Sequence, residues 1–507
     1  MKSCFAALDC GTTWIKAGIL DAGGRILGLG TKRSPARQGQ EGRVEVDPRG
    51  LLTACKAALR EAVRAAGAGA ATVAALAMTN QRATVFFLDA RGTPVGNGIS
   101  WQDMRGAAAV AAFGKRVSGP EFFALTGLPL DPVFTLGKVL MVRSLEPERF
   151  ERIARLALVQ DLVLRDLGAD GFYCDLSNAS LTGLLDVAEL DWNERLLGEA
   201  GLRRGQLPEL VAPGRQIGHL SGEAARQTGL PEGLPLVSGG GDQQCAGLGA
   251  GAVEPGLVEI TIGTAAAPLC AVERPLRDPL RRVPCCVHAV PELWELEGLQ
   301  SSAGACLEWL AGVANRGRRF NQEFFERVSL VPPGAHGVVF LPYLAGCSAP
   351  RWLPRASGVL MGLQLRHGLP EIGRAVLEGV SFQTREILDG FASLGVNVTE
   401  VRLTGGCTSI EVWNQLQASL YGAPVTTLEN PQATLVGATL LAAAGVKAFE
   451  SISHAAREMV RVRACYQPDP EQAEVYDRLH RERLALHSRL IRGRVFGGTA
   501  VRRKRGE

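Results

Sequence analysis

LDCGTTWIK, residues 8–16, ends an apolar run with an acid, a glycine and two threonines. A strand that finishes in Asp9 and bends through Gly11, Thr12 and Thr13 presents backbone N–H groups and hydroxyls at one tight turn. Glycine allows close approach there and the amides point at an anion, which is what a nucleotide phosphate requires. The element after the turn decides between folds. Residues 14–20 read as a second strand, Asp21–Gly24 as a turn and residues 25–30 as a third strand, so the bend opens a hairpin. In a dinucleotide-binding or lysine-containing phosphate-loop unit a helix would come next.

A strand, a phosphate turn and then a hairpin form the actin-like ATPase pattern. It restarts after about residue 246, where GLVEITIGTAAAPLCAV again reads strand, Gly-Thr turn, strand, the turn being ITIGTAAAP at 260–268. Two such turns at the starts of successive halves predict a duplicated nucleotide-binding domain. The expected class is α/β, two actin-like (ribonuclease H-type) ATPase domains over 1–245 and 246–490, with the active site in the cleft between them. Within the first half, residues 45–67 predict an amphipathic helix capped by Asp47 with Pro48 at its first position. The polar loop Thr79–Thr84 follows a strand, where side chains project from a sheet end. In the second half, helices are expected within 295–313 and over 370–395, a strand at 401–406, and a last surface helix at 466–490. The basic segment 491–507 reads as a solvated, disordered tail.

Composition is that of a soluble globular chain: 507 residues, 46% apolar, 21% charged, net charge +4. So small a charge points to neither nucleic acid nor a membrane surface. The twelve cysteines have no regular spacing and no CxxC pair, which reads as reduced, mostly buried thiols of a cytoplasmic protein. Buried structural roles are expected for the vicinal Cys285 and Cys286. The N-terminus runs straight into a strand rather than a secretory leader. The most apolar helical stretch, ATLVGATLLAAAGV at 433–446, is interrupted by Gly437 and is too short to span a bilayer.

From residue 6 to about 450 the chain resembles the FGGY family of carbohydrate kinases. GVLMGLQLRHGLPEIGRAVLE (358–378) fits the family's C-terminal signature, and FTLGKVLMV (134–142) carries Lys138 of the N-terminal one, with Met141 where Trp is usual. TNQRATVFFLD and ISWQDMR are similar to glycerol-kinase segments. DLSNASLTGLLDV (175–187) and the Trp413-x-Gln415 spacing are closer to pentulose kinases. The resemblance implies ATP, Mg²⁺ and a base that activates an acceptor hydroxyl. It assigns the phosphate cradle to the amides and hydroxyls of Gly11, Thr12, Thr13, Gly263 and Thr264, with Lys16 screening phosphate charge. Asp9 resembles the magnesium-associated carboxylate; Asp242 in GGGDQQ (239–244) corresponds to the catalytic base and stands beside the metal. Gly405 and Gly406 would hold the adenosine, with Gly304, and Ser302 near it, beside the nucleotide. Arg82, Trp101, Asp103, Asp242 and Gln243 match acceptor positions of the glycerol-kinase type.

Each assignment has a plainer counterpart: GGGD as a tight turn with Asp as helix cap, Trp101 and Ser302 as core, Asp103 paired only with Arg105. Three departures from the glycerol-kinase pattern bear on the acceptor. Ala83 stands for Glu, Val133 for Tyr and Ala267 for Phe. Each removes bulk and two remove a polar group, at roughly 1–3 kcal/mol per lost contact. A xylulokinase-like enzyme acting on a longer polyol or ketopentose is therefore expected. A drifted glycerol kinase, a kinase of erythritol, ribulose or an autoinducer sugar, and a non-catalytic sugar-responsive regulator are the alternatives. The expected partner is a small sugar or polyol, and a homodimer is compatible with this reading.

Overall fold

The computed structural model describes residues 4–492, so nearly all of the segment 491–507 lies outside the described residues. The chain forms two compact units, and they interleave along the sequence. The first takes the chain to Pro255, then Leu269–Leu296 and Gln432–Arg461; the second takes Gly256–Pro268, Glu297–Pro431 and the chain from Val462. Compactness in space thus divides the chain at more places than a single boundary near residue 245. The cause is the apolar helix Ala433–Gly445. Its Leu435, Val436, Ala438 and Leu440 are buried against Phe5, Ala7, Ala75 and Ala77 of the first unit's sheet.

That sheet has six strands in the order Gln216–His219, Pro235–Gly241, Val73–Asn80, β1 (Cys4–Cys10), β2 (Trp14–Asp21) and β3 (Ile26–Arg33). β1 to β3 form the expected hairpin ladder, antiparallel throughout. Val73–Asn80 and Pro235–Gly241 run parallel to β1. The opposite face is covered by α1 (Pro48–Ala66). As expected, Asp47 caps it, accepting from the amides of Arg49 and Gly50, and Pro48 opens it. Gly28 and Gly30 of β3 let α1 sit close: a Cβ on Gly28 would lie 2.2 Å from the Ala62 carbonyl oxygen.

In the second unit, Leu257–Ile262 pairs in parallel with Glu400–Thr404, which pairs in parallel with Val425–Leu428; Val462–Tyr466 closes this edge antiparallel. The expected long helix runs Leu369–Ala392, and the last one Pro470–Arg492. All cysteines except Cys407 and Cys465 are buried and none forms a disulfide. Among the described residues no helix is long and apolar enough to cross a membrane.

Candidate active site

The first unit gathers its charged residues at one sheet end for a topological reason. β1, Val73–Asn80 and Pro235–Gly241 run the same way and stop together: Cys10 faces Asn80 in one ladder and Gly241 faces Asn80 in the other. The three strand ends thus carry Asp9, the loop with Arg82, and Asp242. Carboxyl ends of neighbouring parallel strands are where open α/β sheets bind ligands.

Asp242 is the first residue of the helix Asp242–Gly249; Gly241 holds the cap position, so the plain helix-cap reading does not describe it. Its Oδ1 lies 3.0 Å from Arg82 Nε and accepts the Gln243 amide at 2.9 Å. The Gln243 side-chain oxygen is shielded from solvent and has no partner among the described residues. Asp9 is 8% exposed and accepts from the Thr434 hydroxyl at 2.8 Å. Burial pushes its carboxyl up to about 6; the Thr434 bond opposes this, the Asp242 charge adds to it, and Lys16 opposes it. Lys16, opposite Asp9 in the β1–β2 ladder, donates to Gln432 Oε1 at 2.9 Å.

Gly11 serves the turn by shape. Its amide is spent on the Trp14 carbonyl at 3.1 Å, and a Cβ would stand 2.9 Å from that oxygen. The amide expected to face a phosphate is thus engaged within the turn itself. Trp101 is half-buried rather than core, and its indole N–H donates to the Thr12 hydroxyl at 2.9 Å. It therefore ties the segment 101–105 to the turn at Gly11–Thr13.

Asp103 takes the plainer role. Its carboxylate is 2% exposed and holds Arg105 through Nε at 3.0 Å and Nη2 at 2.7 Å, while the Val44 amide donates at 2.9 Å. Burial acts to raise its pKa, yet Arg105 and the amides hold it below the usual range. The two residues meet because 101–105 is a turn. Beneath them lies Lys138, 1% exposed, whose ammonium donates to the carbonyls of Trp101 (3.0 Å), Pro132 (2.6 Å) and Val133 (2.6 Å). Burial draws its pKa down to about 7, against the charges of Asp103 and Asp131. Ala83 is 5% exposed and sits at φ +59° between Arg82 and Thr84.

The second unit assembles glycines instead of charges. The Gly263 amide is likewise engaged within its turn, on Ala265 O at 2.9 Å, and Gly263 O accepts from Gly304 N at 2.9 Å. Ala303 and Ala305 donate to Thr264 O. A Cβ on Gly304 would come within 2.4 Å of Gly263 O, and one on Gly405 within 2.5 Å of Ile262 O. Gly405 has φ +88° and ψ 178°, a region essentially reserved for glycine. Gly263, Thr264, Gly304, Gly405 and Gly406 therefore form one set. Ser302 stays in the core, its hydroxyl accepting from Ala345 N at 3.1 Å.

Sequence reasoning missed Lys138 as a loop anchor and missed Gln432 and Thr434 altogether. The available signal for the last two was a polar first turn on an otherwise apolar helix.

This duplicated α/β fold, with charged strand ends in one unit and glycine turns in the other, is that of a phosphotransferase of the actin-like ATPase class. The structure of xylulose kinase from Rhodospirillum rubrum superposes with TM-score 0.88 at 28% identity, over 96% of this chain and 99% of that one. Plasmodium falciparum glycerol kinase with ADP shares the fold with TM-score 0.87 at 22% identity, over 96% and 98%. The chain belongs to the FGGY family of carbohydrate kinases: the family's N-terminal domain matches residues 4–249 and its C-terminal domain residues 259–446. Among relatives, glycerol kinase of Alkalilimnicola ehrlichii is 33% identical over 87% of this chain and 90% of its own length. Xylulose kinase of Bacillus subtilis is 28% identical over 93% and 94%. Nothing in these matches favours the non-catalytic regulator.

Proposed function

We propose that the protein transfers the γ-phosphoryl group of ATP to a primary hydroxyl of a four- or five-carbon polyol or ketose, in the manner of a xylulokinase, with Asp242 as general base. The carrying observation is the first unit's cluster: Asp242 held by Arg82, with a partnerless Gln243 oxygen beside it and the Thr12–Trp101 link alongside. In the proposed step Asp242 takes the acceptor's proton, the freed oxygen attacks the γ-phosphorus and ADP departs. Gln243 and Arg82 suit sugar hydroxyls, and Trp101 offers an apolar wall to carbon–hydrogen faces. The second unit's glycine turns would hold the nucleotide.

Mg²⁺ suits the residues present. Asp9 is a carboxyl group whose pKa burial raises, with the Asp242 charge adding to this and the Thr434 hydrogen bond and Lys16 opposing it. Asp9 and Asp242 would hold the ion, which neutralises charge on phosphate oxygens when bound.

The substrate size rests on Ala83, Val133 and Ala267, each smaller than its counterpart in the glycerol-kinase pattern. The 33% identity to a glycerol kinase favours the second reading, a glycerol kinase with an altered pocket. An ATP-consumption assay over C3 to C6 polyols and ketoses tests the choice. The expected result is a specificity constant for a pentulose or tetritol at least about tenfold above that for glycerol. Preference for glycerol over every longer acceptor overturns it.

A further inference from the structure

The strand that delivers Asp242 leaves its ladder just before it arrives. Its pairing with Val73–Asn80 is regular at Leu236 and Val237, then resumes out of register at Gly240. Buried amides at such an irregularity need acceptors from elsewhere. Two side chains supply them: Gly239 N donates to Gln160 Oε1 at 2.9 Å, and Gly241 N to Ser177 Oγ at 3.0 Å.

Behind both stands Asp175, fully buried at the start of the helix Leu176–Ser180. Oδ1 accepts the Ser177 hydroxyl and the Asn178 amide; Oδ2 accepts the side-chain amides of Gln160 at 2.8 Å and Asn178 at 2.7 Å. Asn178 exchanges hydrogen bonds with Asn80 at 3.0 and 3.2 Å, and Asn80 donates to the Gln81 carbonyl at 2.8 Å in the loop that carries Arg82.

Backbone amides only donate, so Gly239 and Gly241 fix the accepting faces of Gln160 and Ser177. The four bonds at Asp175 all point into its carboxyl group, whose pKa burial pushes up and these donors pull down. Gln160 must turn its NH₂ toward Asp175, which leaves its oxygen for Gly239. Ser177 must give Asp175 its only proton, which leaves a lone pair for Gly241. We infer that Asp175 is a positioning residue, whose accepting carboxyl group orients Gln160, Ser177 and Asn178 so that they fix the backbone presenting Asp242 and Arg82. This rests on the assignment of Asp242 as base.

Asp175→Asn keeps the size but sets an N–H against the donors of Gln160 and Asn178. Turnover with MgATP and D-xylulose, and in a parallel series with glycerol, should fall at least about thirtyfold, with the KM for ATP within about threefold of wild type. Hydrogen exchange over residues 238–243 should quicken at least about tenfold, while that over 400–406 stays unchanged. Asp175→Asn combined with Gln160→Glu restores an acceptor-only group between the new amide and Gly239, and should recover at least about tenfold of the lost turnover and of the lost protection. Wild-type exchange and turnover in the single variant, or no recovery in the double, overturns the proposal. If Asp175→Asn does not fold, Ser177→Ala removes the Gly241 acceptor alone and must move exchange and turnover together, or the proposal falls. Asp242→Asn, run alongside, separates the two questions. Normal turnover there removes the base assignment, whereas the exchange data judge the network by themselves.

Discussion

The two glycine-threonine turns are alike in sequence and unlike in surroundings. Each glycine bonds its amide inside its own turn, Gly11 to Trp14 O and Gly263 to Ala265 O. Two residues before the glycine, however, the first turn has Asp9 and the second Thr261; five residues after it, the first has Lys16 and the second Pro268. Asp9 is a buried carboxylate that senses Asp242 and Lys16. Thr261 instead donates, as Thr404 does, to Glu259, a fully buried acid behind the turn. One bend can thus be set among reactive charges or among close-packed backbone, and the flanking residues decide which. Such a contrast supports a division of labour, chemistry in the first unit and nucleotide in the second.

The hardest test of that division is Asp242→Asn. Turnover should drop by about two to four orders of magnitude while ATP binding persists, as expected for losing a positioned base. Turnover near wild type would take the chemistry away from the first unit. Gly405→Ala is the mirror experiment: a methyl group pressed toward Ile262 O should raise the KM for ATP by about tenfold or more and leave the acceptor KM in place. An acceptor KM that moves instead would reverse the roles of the two units. Within the first unit, Ala83→Glu with Val133→Tyr should shift the ratio of specificity constants toward glycerol by about tenfold. A ratio unmoved by both changes would place the size selection elsewhere.

The smallest effect concerns Glu259. Burial pushes its pKa up to about 8 from 4.5, with the Thr404 and Thr261 hydroxyls opposing. The folded protein therefore keeps a proton there that the unfolded chain releases. This contribution to stability is complete below pH 4.5, shrinks as the pH rises, and is gone above about 8. Glu259→Gln should flatten the fall of the melting temperature across that window by a few degrees. Identical melting profiles for variant and wild type would show that Glu259 does not titrate in it.

Local features were legible in the chain because local chemistry causes them. The β1–β3 hairpin, the Asp47–Pro48 start of α1, and the strand–turn–strand at Gly263 all follow from turn residues and period-two apolar patterning. The positions of Asp242 and Arg82 were legible through a family resemblance, and three parallel strand ends explain why they meet. The features that escaped reading depend on partners far away in sequence. Thr434 reaches Asp9 across 425 positions, and nothing near either residue announces the other. Asp103 was placed at the acceptor site by its likeness to a glycerol-kinase segment, whereas the turn that forms there hands both oxygens to Arg105. The Asp175 segment stands out in the sequence only for its likeness to pentulose kinases, since a hydrogen-bond direction is a property of the folded network.

The helix Ala433–Gly445, packed on β1 and Val73–Asn80, bears on how the protein is made. The ribosome releases the first strand of the first unit's sheet more than four hundred residues before the helix that covers it. At about 5–20 residues per second, the apolar face of that sheet waits some tens of seconds for its own completion, while most of the second unit emerges. The first unit's sheet gains its last covering helix only after residue 445 has emerged. A fragment cut at residue 245 keeps every strand of the six-stranded sheet, yet leaves Phe5, Ala7, Ala75 and Ala77 without their cover, as a surface for aggregation or for a chaperone.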